Sequence, residues 1–233
     1  VDGRRAPRAS VSGDLLSGWT QTSTGYTVNK SSYLENSTAS DLEFVYPGGA
    51  GATTWTANRC DVASISAGST TDTITMVQPC YQMARLVRPN VGVPNSIENG
   101  YGLLGTPGQW YLDSAAGKVY YTPLPGETLT NQSAILATTD GLLDATGLSN
   151  VTFSGLTFAY STWMAASGPQ GVVDIQANLL AQTDTDPSSP TYGSYDTMQL
   201  PSAVDFHTCD HVRFISNTLA HLGSGGVTFD QGS

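Results

Sequence analysis

Val204-Asp205-Phe206-His207 recurs 23 residues later as Val227-Thr228-Phe229-Asp230, and the reading of this stretch decides the fold. A longer interval reaches the same place. Shifting residues 141–163 by 61 lands on 202–224, so that Asp144 meets Asp205, Val151 meets Val212, Phe153 meets Phe214, Thr157 meets Thr218 and Ala159 meets Ala220. Each copy carries a short alternating strand, Val151-Thr152-Phe153 or Val212-Arg213-Phe214, which puts its apolar residues on one face. A repeat of roughly 20–25 residues suits one turn of a β-solenoid. The pattern predicts an all-β chain whose C-terminal part stacks as a parallel β-helix.

Composition agrees with an all-β class. The 233 residues are rich in Gly, Ser and Thr, only 12% are charged, and no long helical periodicity appears. The formal charge is −10, with 9 basic residues. Nucleic acid is excluded as a partner on this ground, because phosphate binding needs a basic face. No run is apolar enough to span a membrane. Cys60 and Cys80 bracket a short segment and read as a disulfide-closed hairpin of a secreted protein, or as two buried thiols. Cys209 falls at a turn between rungs and is expected to be buried and unreactive.

Before the repeats, strand-like pieces alternate with turns: Tyr26-Thr27-Val28, Leu42 to Tyr46, Val62 to Ile65 and Thr73 to Val77. A hairpin follows over 109–121, with aromatics flanking a turn that contains Gly117. Residues 95–104 have room for one short helix. The expected organisation is a β-sandwich-like insertion over 1–140 and incomplete parallel β-helix coils over 141–233. Residues 177–200 read as a long polar loop projecting from the coils, either a functional rim or a disordered segment.

All three histidines lie in the last 27 residues. If Val204, Phe206, Val227 and Phe229 point inward, then Asp205, His207, Thr228 and Asp230 point outward. His207 then lies one rung from Asp230, about 4.8 Å away along the sheet, and Asp205 one rung from Thr228. That geometry suits a general acid/base or a sugar-binding edge, and equally a solvated surface pair. His221, beside Gly223-Ser224-Gly225-Gly226, reads as lining a groove or capping a turn. The catalytic candidates are therefore His207, His221, Asp230 and Asp205. Trp163 and Asp174 are the substrate-binding candidates, Trp163 because an apolar sugar face packs on an aromatic ring. A buried Trp163 is the alternative. Glycosidases place two carboxylates about 5–5.5 or 6.5–9.5 Å apart, and sequence spacing alone singles out no such pair. No zinc-like spacing is present, and Asp184-Thr185-Asp186 lacks the rest of a calcium loop, so neither metal nor cofactor is expected.

One set of segments carries a family resemblance. Val1-Asp2-Gly3-Arg4-Arg5-Ala6-Pro7-Arg8-Ala9, Arg59-Cys60-Asp61-Val62, Gln78-Pro79-Cys80, Ile97-Glu98-Asn99, Pro107-Gly108-Gln109-Trp110-Tyr111, Tyr120-Tyr121-Thr122-Pro123, 150–163 and His221-Leu222-Gly223 occur in family order. Together they resemble the secreted right-handed parallel β-helix proteins of bacteria, including glycoside hydrolase family 141 with its α-L-fucosidase and xylanase activities. More distantly, the chain is similar to the β-helix β-xylosidases of family 120. The resemblance implies a β-sandwich inserted after the first coils, further coils before Val1 and after Ser233, and catalytic carboxylates on those later coils. It transfers none of those carboxylates to a residue here. Gln109 departs from the acidic residue that many relatives carry before the Trp-Tyr pair.

The resemblance implies an extracellular glycoside hydrolase acting on polysaccharide or oligosaccharide. A polysaccharide lyase is one alternative, but it needs a basic cluster to neutralise a uronate, and Arg213 is the single outward basic residue on a rung. A non-catalytic carbohydrate-binding or structural module is the other. The expected partners are a carbohydrate and the remaining fragment of the same protein, since a solenoid ending at Ser233 leaves an uncapped sheet edge.

Overall fold

The computed structural model describes residues 1–47, 56–87, 91–131, 133–184, 187–190 and 192–230. The chain is mostly β, as its composition predicts. It divides into two units: Val1–Arg5, Ser133–Met164 and Gln199–Ser233 form one, and Ala6–Gln132 with Ala165–Met198 form the other. The chain therefore passes between the units four times.

The larger unit is built on a seven-stranded sheet. Its strands are β1 (Ser10–Ser12), β2 (Thr20–Gln21), β3 (Gly25–Asn29), β4 (Glu43–Pro47), β5 (Ala57–Ala67), β6 (Thr71–Met76) and β7 (Ser96–Glu98), in the order β1-β7-β4-β5-β6-β3-β2. Every pairing is antiparallel. Alternation drives it: Ile74 and Met76 on β6, and Cys60 and Val62 on β5, are buried beside Tyr26, Val28 and Phe44. The expected strands around residues 26–28, 42–46, 62–65 and 73–77 all appear. The hairpin β8 (Trp110–Asp113) and β9 (Lys118–Tyr121) forms as well. The expected short helix over 95–104 is corrected to strand β7 followed by a 3-10 turn at Tyr101–Leu103. A helix that sequence patterning passed over, α1 (Cys80–Val87), follows Pro79 and buries Cys80, Tyr81, Met83 and Ala84. Cys60 and Cys80 are bonded, with their Cα atoms 5.7 Å apart, which ties β5 to the start of α1. Closing a loop of this size contributes about 3 kcal/mol by restricting the unfolded chain.

The smaller unit carries three parallel ladders. Its first set of strands is β10 (Leu143–Thr146), β11 (Thr152–Ser154) and β12 (Thr157–Ala159). The chain then runs through the larger unit as β13 (Asp174–Gln176), β14 (Leu179–Thr183) and β15 (Tyr195–Gln199), which form a three-stranded sheet. The predicted polar loop over 177–200 is thereby corrected, since two strands of that sheet lie within it. The Asp184-Thr185-Asp186 run falls partly outside the described residues. Returning, the chain forms β16 (Ser202–His207), β17 (Arg213–Ile215), β18 (Thr218–Ala220) and β19 (Gly225–Asp230). β10 pairs β16, β11 pairs β17, β12 pairs β18 and β16 pairs β19, all parallel.

The register matches the sequence repeat. Asp144 opposes Asp205, Phe153 opposes Phe214, Thr157 opposes Thr218, and His207 opposes Asp230. Inside, Ala145, Val204, Phe206 and Cys209 are buried, with Phe153, Phe158, Phe214 and Val227 packed on them. Phe206 and Phe229 stack at 4.7 Å with planes 12° apart. Cys209 is buried outside any disulfide, as expected.

The corners repeat too. Gly147 and Thr208, Asn150 and His211, Gly155 and Ser216, and Tyr160 and His221 are each 61 apart, and all eight have positive φ. The N–H of Gly147, Asn150, Gly155 and Tyr160 each donates across to the second repeat, at His207, Asp210, Ile215 and Ala220. Asn217 adds a side-chain tie, accepting from the Leu156 N–H and donating to the Phe153 carbonyl. A left-handed backbone costs an L-residue about 1–2 kcal/mol, and a β-branched one suffers most. Thr208 is exposed at φ 50, where the first repeat has Gly147. Thr208→Gly is expected to raise unfolding stability by about 0.5–1 kcal/mol in urea titrations, net of glycine's entropy. A loss of stability would show that the corner is not strained.

Candidate functional site

The outer face of β10, β16 and β19 gathers most of the sequence-predicted residues. Alternation turns Ala145, Val204 and Phe206 inward and leaves Asp144, Thr146, Asp205, His207, Thr228 and Asp230 on the opposite face. The register arranges these as two rows, Asp144–Asp205–Thr228 and Thr146–His207–Asp230. His207 sits between two carboxylates: Nε2 is 3.4 Å from Asp205 Oδ2, and Nδ1 is 3.3 Å from Asp230 Oδ2. The three side chains are 39%, 27% and 44% exposed, so solvent and a ligand reach them. Asp205 Oδ1, by contrast, is buried and meets no hydrogen-bond donor among the described residues. Ser202 and Thr228 hydroxyls are 2.8 Å apart beside it. An imidazole flanked by two carboxylates can take or give a proton at either nitrogen.

The structure thus brings together Asp205, His207 and Asp230. It does not bring His221 to them: that ring is at a corner after β18 and stacks on Tyr160. Trp163 is half-buried. Asp174 lies on β13 in the larger unit, where its Oδ2 accepts from the Ala57 N–H at 3.1 Å. Among the described residues no group of three His, Cys, Asp or Glu side chains is arranged to hold a metal ion. Asp144 was missed as an outward acid, although the 61-residue repeat had already set it opposite Asp205.

A second ionic group was also missed. On the larger sheet, Ser10, Glu98, Glu43 and Asp61 form one cross-strand row. Arg59 Nη1 donates to Glu43 Oε1 at 2.5 Å and to Glu98 Oε2 at 3.0 Å, and Arg8 Nη1 donates to Glu43 Oε1 at 3.1 Å. The Glu43 side chain is almost wholly buried, so the network braces the sheet and presents no open acid pair. Burial and then the Glu43 charge push Asp61 up to about 7, while Arg8 opposes the shift.

No protein-family profile and no curated protein matches this chain. A solved structure titled "Glycoside hydrolase" is similar in fold, with a TM-score of 0.72 and 20% identity. The match covers 98% of this chain and 43% of that one, so this chain spans less than half of that protein's length. At that identity the likeness is one of fold.

The Asp61 shift sets a pH dependence. The folded state holds a proton that the unfolded chain releases near the ordinary carboxylate value, 3.8. The stability tied to it is complete below about pH 4 and is lost as pH rises through 7. Asp61→Asn is therefore expected to flatten the fall in Tm between pH 5 and 8 that calorimetry records for the wild type. Parallel curves for the two proteins would contradict the assignment.

Proposed function

We propose that this chain is part of an extracellular glycoside hydrolase, and that its parallel ladders are coils of a right-handed parallel β-helix like those of family 141. The observation that carries the reading is the open row of in-register outward acids, Asp144 and Asp205, with His207 linking Asp205 to Asp230. Adjacent parallel strands lie about 4.8 Å apart, close to the about 5–5.5 Å that separates the carboxylates of retaining glycosidases. In this reading one acid attacks or stabilises the anomeric centre and the other protonates the leaving oxygen. His207 fixes the Asp205 carboxylate and exchanges protons with Asp230. The fold similarity to a protein titled glycoside hydrolase supports this, and its name supplies the substrate class, a carbohydrate. The seven-stranded sheet then corresponds to the β-sandwich-like insertion. The Cys60–Cys80 bond is compatible with secretion, and no described helix is long and apolar enough to cross a membrane.

A non-catalytic carbohydrate-binding module is the second reading. It is favoured by one observation: Asp205 and Asp230 are both engaged by His207, as a surface ion pair would be. Hydrolysis of aryl fucosides, aryl xylosides and xylan separates the two. Asp205→Asn and Asp144→Asn are each expected to lower turnover by about 100-fold or more, with the melting temperature nearly unchanged. Turnover that survives both changes would sink the site. Saccharide binding without turnover in the wild type would favour the module.

A further inference from the structure

The His221 corner has no role in the hydrolytic reading, yet it is unusual. Tyr160 and His221 occupy equivalent corners 61 residues apart, at φ 67 and 54, and their rings stack at 5.0 Å with planes 2° apart. The other left-handed corners of these coils hold Gly147, Thr208, Asn150, His211, Gly155 and Ser216. None of those pairs is aromatic on both coils. Holding Tyr160 left-handed costs about 1–2 kcal/mol. Stacking returns about 0.5–1.5 kcal/mol, so stability alone gives no surplus for keeping two rings there. Both rings are exposed, Tyr160 at 38%.

A guanidinium reaches the residue that follows His221. Arg5 Nη2 donates to the carbonyl of Leu222, the residue after His221, at 2.9 Å, and the Arg5 side chain is at the surface. Next along the chain, Gly223 packs closely on the backbone of Thr162 and Trp163. A Cβ there would collide with the Thr162 backbone and come within 2.8 Å of the Trp163 nitrogen. Arg4 and Arg5 place two cationic residues together in a chain with 19 acidic and 9 basic ones. A localised cation in an acidic molecule matches a short ligand that sets one carboxylate on it, whereas a long polyanion is repelled by the rest of the surface.

We propose that Tyr160, His221 and Arg5 form a binding site for a uronic-acid-bearing saccharide, with the sugar against the aromatic pair and its carboxylate on the guanidinium. The apolar face of a pyranose packs on aromatic carbon, and a guanidinium fork fits a carboxylate with two parallel hydrogen bonds. The site lies on the β12–β18 ladder, apart from Asp205 and His207, and does not depend on hydrolysis.

Calorimetric titration with tri-galacturonic acid, xylotriose and a short single-stranded oligonucleotide tests it. The wild type is expected to bind tri-galacturonic acid and to bind xylotriose about tenfold less tightly. Arg5→Gln and Tyr160→Ala should each cost about tenfold for tri-galacturonic acid, about 1.4 kcal/mol, and Tyr160→Phe should keep its affinity. Arg5→Gln alters an exposed side chain, so it carries the test even if Tyr160→Ala fails to fold. Absence of tri-galacturonic acid binding overturns the proposal. So does insensitivity to Arg5→Gln, equal affinity for xylotriose, or tighter binding of the oligonucleotide.

Discussion

Parallel strands from two repeats stay in register only where each corner turns at the same backbone position, and the smaller unit is organised by that constraint. Four successive corners repeat their left-handed residues at one offset of 61, from Gly147 and Thr208 to Tyr160 and His221. With the corners in step, the hydrogen bonds between the repeats close and Phe206 meets Phe229 face to face. A slip of one residue would turn Asp205 and His207 inward and Phe206 out to water. At about 25 cal/mol per Å² of apolar surface, that exchange alone exceeds what the surface ion pairs return.

The same register assembles the acidic row around His207. His207 meets Asp205 along its own strand and Asp230 across the ladder, and Asp144 joins from the other side. Repeated residue positions set several side chains in a row on one face. The larger unit concentrates its charge differently. Its Arg8, Arg59, Glu43 and Glu98 network is folded into the sheet, and Asp61 beside it keeps a proton near neutral pH.

What the sequence revealed follows from how local each signal is. The parallel pairing of β16 and β19 was legible because Val204-Asp205-Phe206-His207 and its copy carry alternation and spacing in a few residues. The His207–Asp230 pairing followed from that spacing, and Asp144 was equally readable from the longer repeat. The two intervals, 61 and 23, differ by 38 residues, and the 34-residue excursion Ala165–Met198 through the larger unit accounts for most of that. The excursion was hard to see because β15 has little apolar alternation: Tyr195, Asp196 and Thr197 are all exposed. Asp174 was consequently placed on a coil. The Glu98–Glu43–Asp61 row joins β7 to β4 past the intervening β5 and β6, and only the sheet order brings Glu98 beside Glu43. α1 is two turns long and gives too brief a periodicity to be recognised.

The register of the coils is the claim on which the site depends, and a distance measures it directly. Nitroxide labels at Thr152 and Arg213, exposed partners on β11 and β17, lie one rung apart, about 4.8 Å between backbones. The account predicts strong dipolar broadening in the frozen-solution electron paramagnetic resonance spectrum of the doubly labelled protein. A spectrum equal to the sum of the two singly labelled ones would mean that these strands do not pair in this register, and the candidate site of Asp144, Asp205, His207 and Asp230 would fall with it.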